Sequence, residues 1–187
     1  MRNILFISLV LMAFSCSNTG NKAKKNTEVS VVSVPEFSAD SAYLYVKTQV
    51  DFGPRVPNTA EHKACGDYLI SSLKKFGAEV TVQDADVTTF DGKTLHARNI
   101  IGSYNPEAET RILLFAHWDT RPWADNDKDV KNHKTPVLGA NDGASGVGVL
   151  LELARVLNKT KPSVGVDIIF FDAEDYGAAS GNEDSWC

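Results

Sequence analysis

Three short segments of this sequence carry side chains able to move protons or hold a metal ion. They are His117-Trp118-Asp119, Asp142 within Gly139-Ala140-Asn141-Asp142-Gly143, and Glu174-Asp175. Taken singly, each has an ordinary reading. A histidine behind an apolar run is more often a satisfied polar residue than a ligand. Asn-Asp-Gly is turn chemistry, and Asp142 could also cap a helix. Glu174 and Asp175 could be loop charges. Taken together they point elsewhere. Asp172, Glu174 and Asp175 crowd carboxylates behind a hydrophobic run, and a divalent cation is the natural partner of such uncompensated charge. Imidazole with carboxylate oxygens suits zinc. Adjacent acids can also divide labour. Neighbours in an extended segment point to opposite sides, so one can bind metal while the other stays free as a proton acceptor. A free carboxylate beside a Lewis acid is what acyl transfer at neutral pH requires.

These segments must be held by regular elements, and the periodicity supplies them. Residues 112–116 and 166–171 read as apolar strands, the first of them central and covered on both faces. Residues 145–157 form a helix, with Val147, Leu150, Leu151, Ala154 and Leu157 on its buried side. Strand, helix, strand in this order implies a right-handed crossover. His117 and Glu174-Asp175 then follow strand ends, and Asp142 precedes the helix. Ligand crevices of open α/β sheets lie at those carboxyl ends. The fold class is therefore α/β, a three-layer sandwich with a mostly parallel central sheet and helices on both faces. Upstream, residues 38–50 read as a helix with Ala42, Leu44, Tyr45 and Val46 as its apolar positions. Gly53-Pro54-Arg55-Val56-Pro57 breaks regular structure. Asn58 with Glu61 reads as a capping box for a helix carrying Ala64, Cys65, Tyr68, Leu69, Leu73 and Phe76, closed by Gly77. Val80 and Val82 alternate as a strand, Asp91-Gly92 marks a hairpin tip, and residues 97–101 form a further strand.

Hydrophobic residues make up 43% of the 187, enough for a packed core, and the net charge of -5 without a basic run argues against a nucleic-acid partner. Arg2 followed by an apolar run over residues 4–14 is the layout of a secretory signal, too short to span a bilayer as a resident helix. Ala13-Phe14-Ser15-Cys16 resembles a bacterial lipoprotein cleavage site, which makes Cys16 the lipid-bearing first residue; ordinary cleavage near Ser15 is the alternative. The organisation expected is a signal over 1–15, a flexible tether over 16–34 and the N-terminal portion of a catalytic domain over 35–187, anchored by lipid to the cell envelope and facing the periplasm or the exterior. Cys65 and Cys187 could pair, but Cys65 lies on an apolar helix face, and a buried thiol is the preferred reading. No CxxC motif is present for thiolate zinc ligation.

The blocks Ala116-His117-Trp118-Asp119-Thr120-Arg121-Pro122-Trp123-Ala124-Asp125, Gly139-Ala140-Asn141-Asp142-Gly143-Ala144-Ser145-Gly146-Val147 and Phe170-Phe171-Asp172-Ala173-Glu174-Asp175 resemble peptidase family M28, and within it the bacterial glutaminyl cyclases. The Gly53-Pro54-Arg55-Val56-Pro57 segment fits the same family. The resemblance implies that Asp142 and Asp175 bind zinc, that Glu174 is the catalytic acid/base and that Asp119 supports the site. His117 binds a second zinc if the enzyme is an aminopeptidase, with Asp142 bridging. It also places another zinc-binding histidine and another active-site aspartate beyond Cys187. His62, His96 and His133 are not convincing substitutes, so the chain reads as the N-terminal portion of a longer enzyme and is expected to be inactive by itself. The implied activity is a glutaminyl-peptide cyclotransferase using one zinc to convert N-terminal glutamine to pyroglutamate with release of ammonia. The alternative is a two-zinc aminopeptidase, and last comes a non-catalytic surface binding protein. Peptide or protein N-termini are the implied substrates.

Overall fold

The computed structural model describes residues 33–178. The signal, nearly all of the tether, Cys16 and Cys187 lie outside the described residues. All the elements lie in the second of the chain's two units, which starts at Val34.

Helix α1 spans Ala39–Asp51. Ser38 starts it, its hydroxyl accepting from the Ser41 N–H at 3.2 Å. Ala42 and Gln49 are its buried residues, whereas Leu44, an expected core position, is 57% exposed. Helix α2 spans Ala60–Lys75 and is capped by Thr59, whose hydroxyl accepts from the His62 N–H. The expected cap, Asn58, instead adopts φ +73 and ties two strand groups, donating to the Thr94 carbonyl and accepting from the His96 N–H. Asparagine tolerates the left-handed region, which frees it for that bridge. His62, Cys65, Leu69 and Leu73 form the buried stripe, and Ala64 faces out. Burial pushes the free Cys65 thiol up to about 12, as the buried-thiol reading requires.

Strands β1 (Glu79–Thr88) and β2 (Thr94–Tyr104) form an antiparallel hairpin around the Asp91-Gly92 turn. Strand β3 (Arg111–His117), helix α3 (Ala144–Lys159) and strand β4 (Gly165–Phe171) make the expected strand–helix–strand unit, with β3 and β4 parallel. The sheet order is β1-β2-β4-β3, and β2 meets β4 antiparallel. The α/β architecture stands, but within the described residues the sheet is mixed, because a hairpin rather than a second crossover supplies its other two strands. One core lies between sheet and helices. It joins Leu69 and Leu73 of α2, Ile100 of β2, Val147 and Leu151 of α3, and Ile168 and Phe170 of β4. Each such side chain contributes about 1.5–3 kcal/mol on burial.

Two strand expectations need correction. Strand β3 is terminal in the described sheet, not central; Leu113 and Phe115 are 53% and 64% exposed on the face away from the helices. Strand β4 is not wholly apolar, for Asp167 interrupts it. That carboxylate accepts from Arg111 of β3 and from the Ser103 hydroxyl of β2, so a charge inside the strand is satisfied across both neighbours.

Candidate metal centre and active site

Parallel pairing brings two of the three segments together. His117 lies opposite Phe171, and the Trp118 N–H donates to the Phe171 carbonyl at 3.0 Å, so both strands end side by side. Beyond them Asp119 is fully buried. Its two oxygens accept from the N–H groups of Glu174 (3.2 Å) and Asp175 (3.0 Å). One carboxylate thereby fixes the backbone of the paired acids against the end of β3.

The third segment is brought in by Arg55, which is fully buried. Its guanidinium donates to the carbonyls of Trp118 (3.1 Å), Leu138 (2.7 Å) and Gly139 (2.8 Å). Its own carbonyl accepts from Thr120 N–H. A planar cation with several fixed donors can hold separate loops in this way, and the break at residues 53–57 has that structural role. Gly139 has φ +58, and a Cβ there would strike Thr120 and Arg55. At Gly143 a Cβ would strike the His117 carbonyl and ring. The bare backbone at Gly143 lets the turn close onto His117, where Asp142 Oδ1 lies 2.9 Å from His117 Nε2. Asp142 does not cap α3, whose N-cap is Gly143 without a side-chain hydrogen bond.

His117, Glu174 and Asp175 each offer a ligand atom, all within 4.8 Å of one another. Among the described residues, His117 Nδ1 is buried without a hydrogen-bond partner. It sits 3.4 Å from Asp119 Oδ1 and 3.7 Å from Glu174 Oε2, close enough for attraction between charges but too far for good hydrogen bonds. Asp119 foremost, with Asp142 and Glu174, holds the imidazole up at about 9 against the opposing effect of burial. Burial, reinforced by Asp142, Asp119 and Glu174, raises Asp175 to about 6, although His117 opposes it. Four carboxylates around one imidazole, together with an orphaned buried nitrogen, form a donor set that fits zinc.

Sequence reasoning assumed an extended segment for the paired acids. The structure has a bend instead: β4 stops at Phe171, Ala173 has φ +63, and Glu174 and Asp175 converge on one cluster rather than diverging. Asp172 does not join them. Its carboxylate turns away and meets His62 Nε2 at 2.8 and 2.9 Å, so it needs no cation. His96 and His133 are also remote, paired with Asp86 and with the Asp127 carbonyl. The role of Arg55 was missed because an arginine between prolines leaves no periodic signal.

Residues 99–183 match the family profile Peptidase family M28. The described fold superposes on Bacteroides thetaiotaomicron glutaminyl cyclase bound to N-acetylhistamine with a TM-score of 0.79 and 69% identity, covering 81% of this chain and 52% of that one. A Zn-dependent exopeptidase from Parabacteroides distasonis matches with a TM-score of 0.80 and 61% identity, covering 83% and 55% of the two chains. A glutaminyl-peptide cyclotransferase of Drosophila melanogaster is 30% identical over 167 residues, 85% of this chain and 44% of that protein. The chain thus spans about half the length of these relatives.

Proposed function

Because this chain belongs to peptidase family M28, we propose that it serves a zinc-dependent glutaminyl-peptide cyclotransferase, forming pyroglutamate from N-terminal glutamine. The observation that carries this reading is the 69% identity to a glutaminyl cyclase over 81% of the chain. Asp142 and Asp175 are the proposed zinc ligands of this chain. A zinc ion held there supplies Lewis-acid polarisation of the glutamine side-chain carbonyl. Glu174, whose backbone is anchored on Asp119, accepts a proton from the attacking α-amine. The new ring bond joins the α-nitrogen to the side-chain carbon. The bond to the amide nitrogen breaks, Glu174 returns the proton to that nitrogen, and ammonia leaves. Peptide and protein N-termini are the substrates.

A second reading, a two-zinc aminopeptidase, is favoured by one contact. His117 and Asp142 approach to 2.9 Å, so both would be at hand to hold a second ion beside the first. Metal analysis and product assay of the full-length protein separate the two. One zinc per chain with ammonia released from a glutaminyl peptide supports the cyclase. Two zincs with release of a free N-terminal amino acid would replace it.

For location, the support is the sequence alone: the apolar run over residues 4–14 and Cys16 after Ala13-Phe14-Ser15. Among the described residues no helix is long and apolar enough to cross a membrane. A lipid anchor on Cys16 predicts that Cys16→Ser abolishes lipid labelling and leaves an unprocessed precursor. Unchanged labelling would remove the anchor.

A further inference from the structure

Asp172 stands between β4 and the paired acids, and its carboxylate is wholly buried. Oδ2 accepts from the Arg98 N–H of β2 at 2.7 Å and Oδ1 from the Ala173 N–H at 2.8 Å. A carboxylate only accepts, so His62 must present a hydrogen on Nε2, which lies between the two oxygens at 2.9 and 2.8 Å. Asp172 N–H in turn donates to the Asn99 side chain at 3.0 Å. His62 is itself fixed on its other side. Its ring stacks on Trp118 with centroids 4.3 Å apart and planes 15° from parallel, and its backbone N–H is held by the Thr59 cap. The Trp118 indole N–H donates to the Arg98 carbonyl.

The next residue, Ala173, has φ +63. That region is unfavourable for a residue with a Cβ and persists only where the surroundings over-determine it. Here Asp172 holds the turn from one end, and Asp119 holds it from the other through the N–H groups of Glu174 and Asp175. The turn is what points Glu174 and Asp175 at His117 instead of along the strand direction.

We propose that His62 and Asp172 are positioning residues: the hydrogen bond from His62 locks the Asp172 carboxylate, Asp172 locks the turn at Ala173, and the turn sets the aim of Glu174 and Asp175. The inference rests on the reading of these two acids as proton carrier and zinc ligand. It adds a support from helix α2 that touches neither metal nor substrate.

The test uses the full-length, zinc-loaded protein and two substitutions of His62. His62→Phe keeps a ring against Trp118 but cannot donate. His62→Gln gives up the ring but keeps an amide donor for Asp172. Three quantities are measured: kcat and KM on a glutaminyl peptide, zinc affinity by chelator competition, and thermal unfolding. His62→Phe is expected to lower kcat and zinc affinity by roughly 10–100-fold, the scale of losing an outer-shell partner, with KM within about twofold. His62→Gln is expected to recover most of both losses. Wild-type kcat and zinc affinity in His62→Phe, with only a lower melting temperature, would reduce the pair to a structural role and overturn the proposal. So would an equal loss in both variants. Should His62→Phe not fold, Asp172→Asn and the double variant with His62→Gln decide instead: losses no greater than that of the single Asp172 variant support one coupled unit, and additive losses overturn it. If the wild-type protein releases an amino acid rather than ammonia, the cyclase reading fails alone, because zinc affinity still reports on the aim of Asp175.

Discussion

His62 and His117 both meet carboxylates, and Trp118 joins their surroundings, stacked on the first and adjacent in sequence to the second. The two sites are balanced differently. Around His62 there is one carboxylate, Asp172, and both of its oxygens are matched by donors. Around His117 there are Asp119, Asp142 and Glu174 within 3.7 Å, a ring nitrogen left without a partner, and Asp175 beside them with its proton affinity raised. Matched charge makes a rigid support. Surplus charge makes a place where an ion or a substrate completes the balance, which is how perturbed groups mark functional sites.

The largest effect is expected at Glu174. In the full-length protein Glu174→Gln should lower kcat by ~10²–10⁴-fold while zinc stays bound. Near-normal turnover would remove Glu174 as the proton carrier. On the matched side, Asp172→Ala should lower stability as well as kcat and zinc affinity. It strands the donors of His62, Arg98 and Ala173, and breaking a buried pair costs about 3–5 kcal/mol, measurable by chemical denaturation. An effect below about 1 kcal/mol would show that water replaces the carboxylate there.

Asp175→Ala and Asp142→Asn should show the surplus side's other signature: zinc content falls, by roughly 100-fold in affinity, and activity follows it. Full zinc occupancy in either variant would take that residue out of the ligand set. With metal removed, pH gives a subtler reading. Asp175 at about 6 lies above the usual 3.8, so the stability it contributes is complete below pH 3.8 and lost as pH rises through 6. His117 at about 9 lies above 6.5, so its share is complete below pH 6.5 and lost as pH rises through 9. Melting of the metal-free protein should therefore weaken in two steps with rising pH. Asp175→Asn should erase the lower step, and an unchanged profile would contradict the crowding described here. Zinc should suppress the lower step, since it takes the place of the proton on Asp175. The smallest effect is expected at Lys63→Ala. Its pair with Asp67 is exposed, and the change should stay within about 0.5 kcal/mol by denaturation.

Much of this was legible in the sequence because it is local. Hydrophobic spacing defines α2 and α3, Asp91-Gly92 defines a hairpin tip, and the order of strand, helix and strand dictates a crossover that puts His117 and Glu174 at neighbouring strand ends. Residue chemistry alone pointed to a carboxylate-rich metal centre there. What sequence could not give was which acid faces which way. Asp172 and Asp175 are the same residue type three positions apart, and only the left-handed turn at Ala173 and the arrival of His62 from α2 separate a structural acid from one in the cluster around His117. Likewise nothing local makes Arg55 a buried staple. Three of its carbonyl partners lie 63, 83 and 84 residues away in sequence. Patterns of polarity mark most of the buried stripe of α2 and α3, because a stripe follows from period. Which charge is satisfied depends on donors delivered across the fold, and that only the tertiary structure decides.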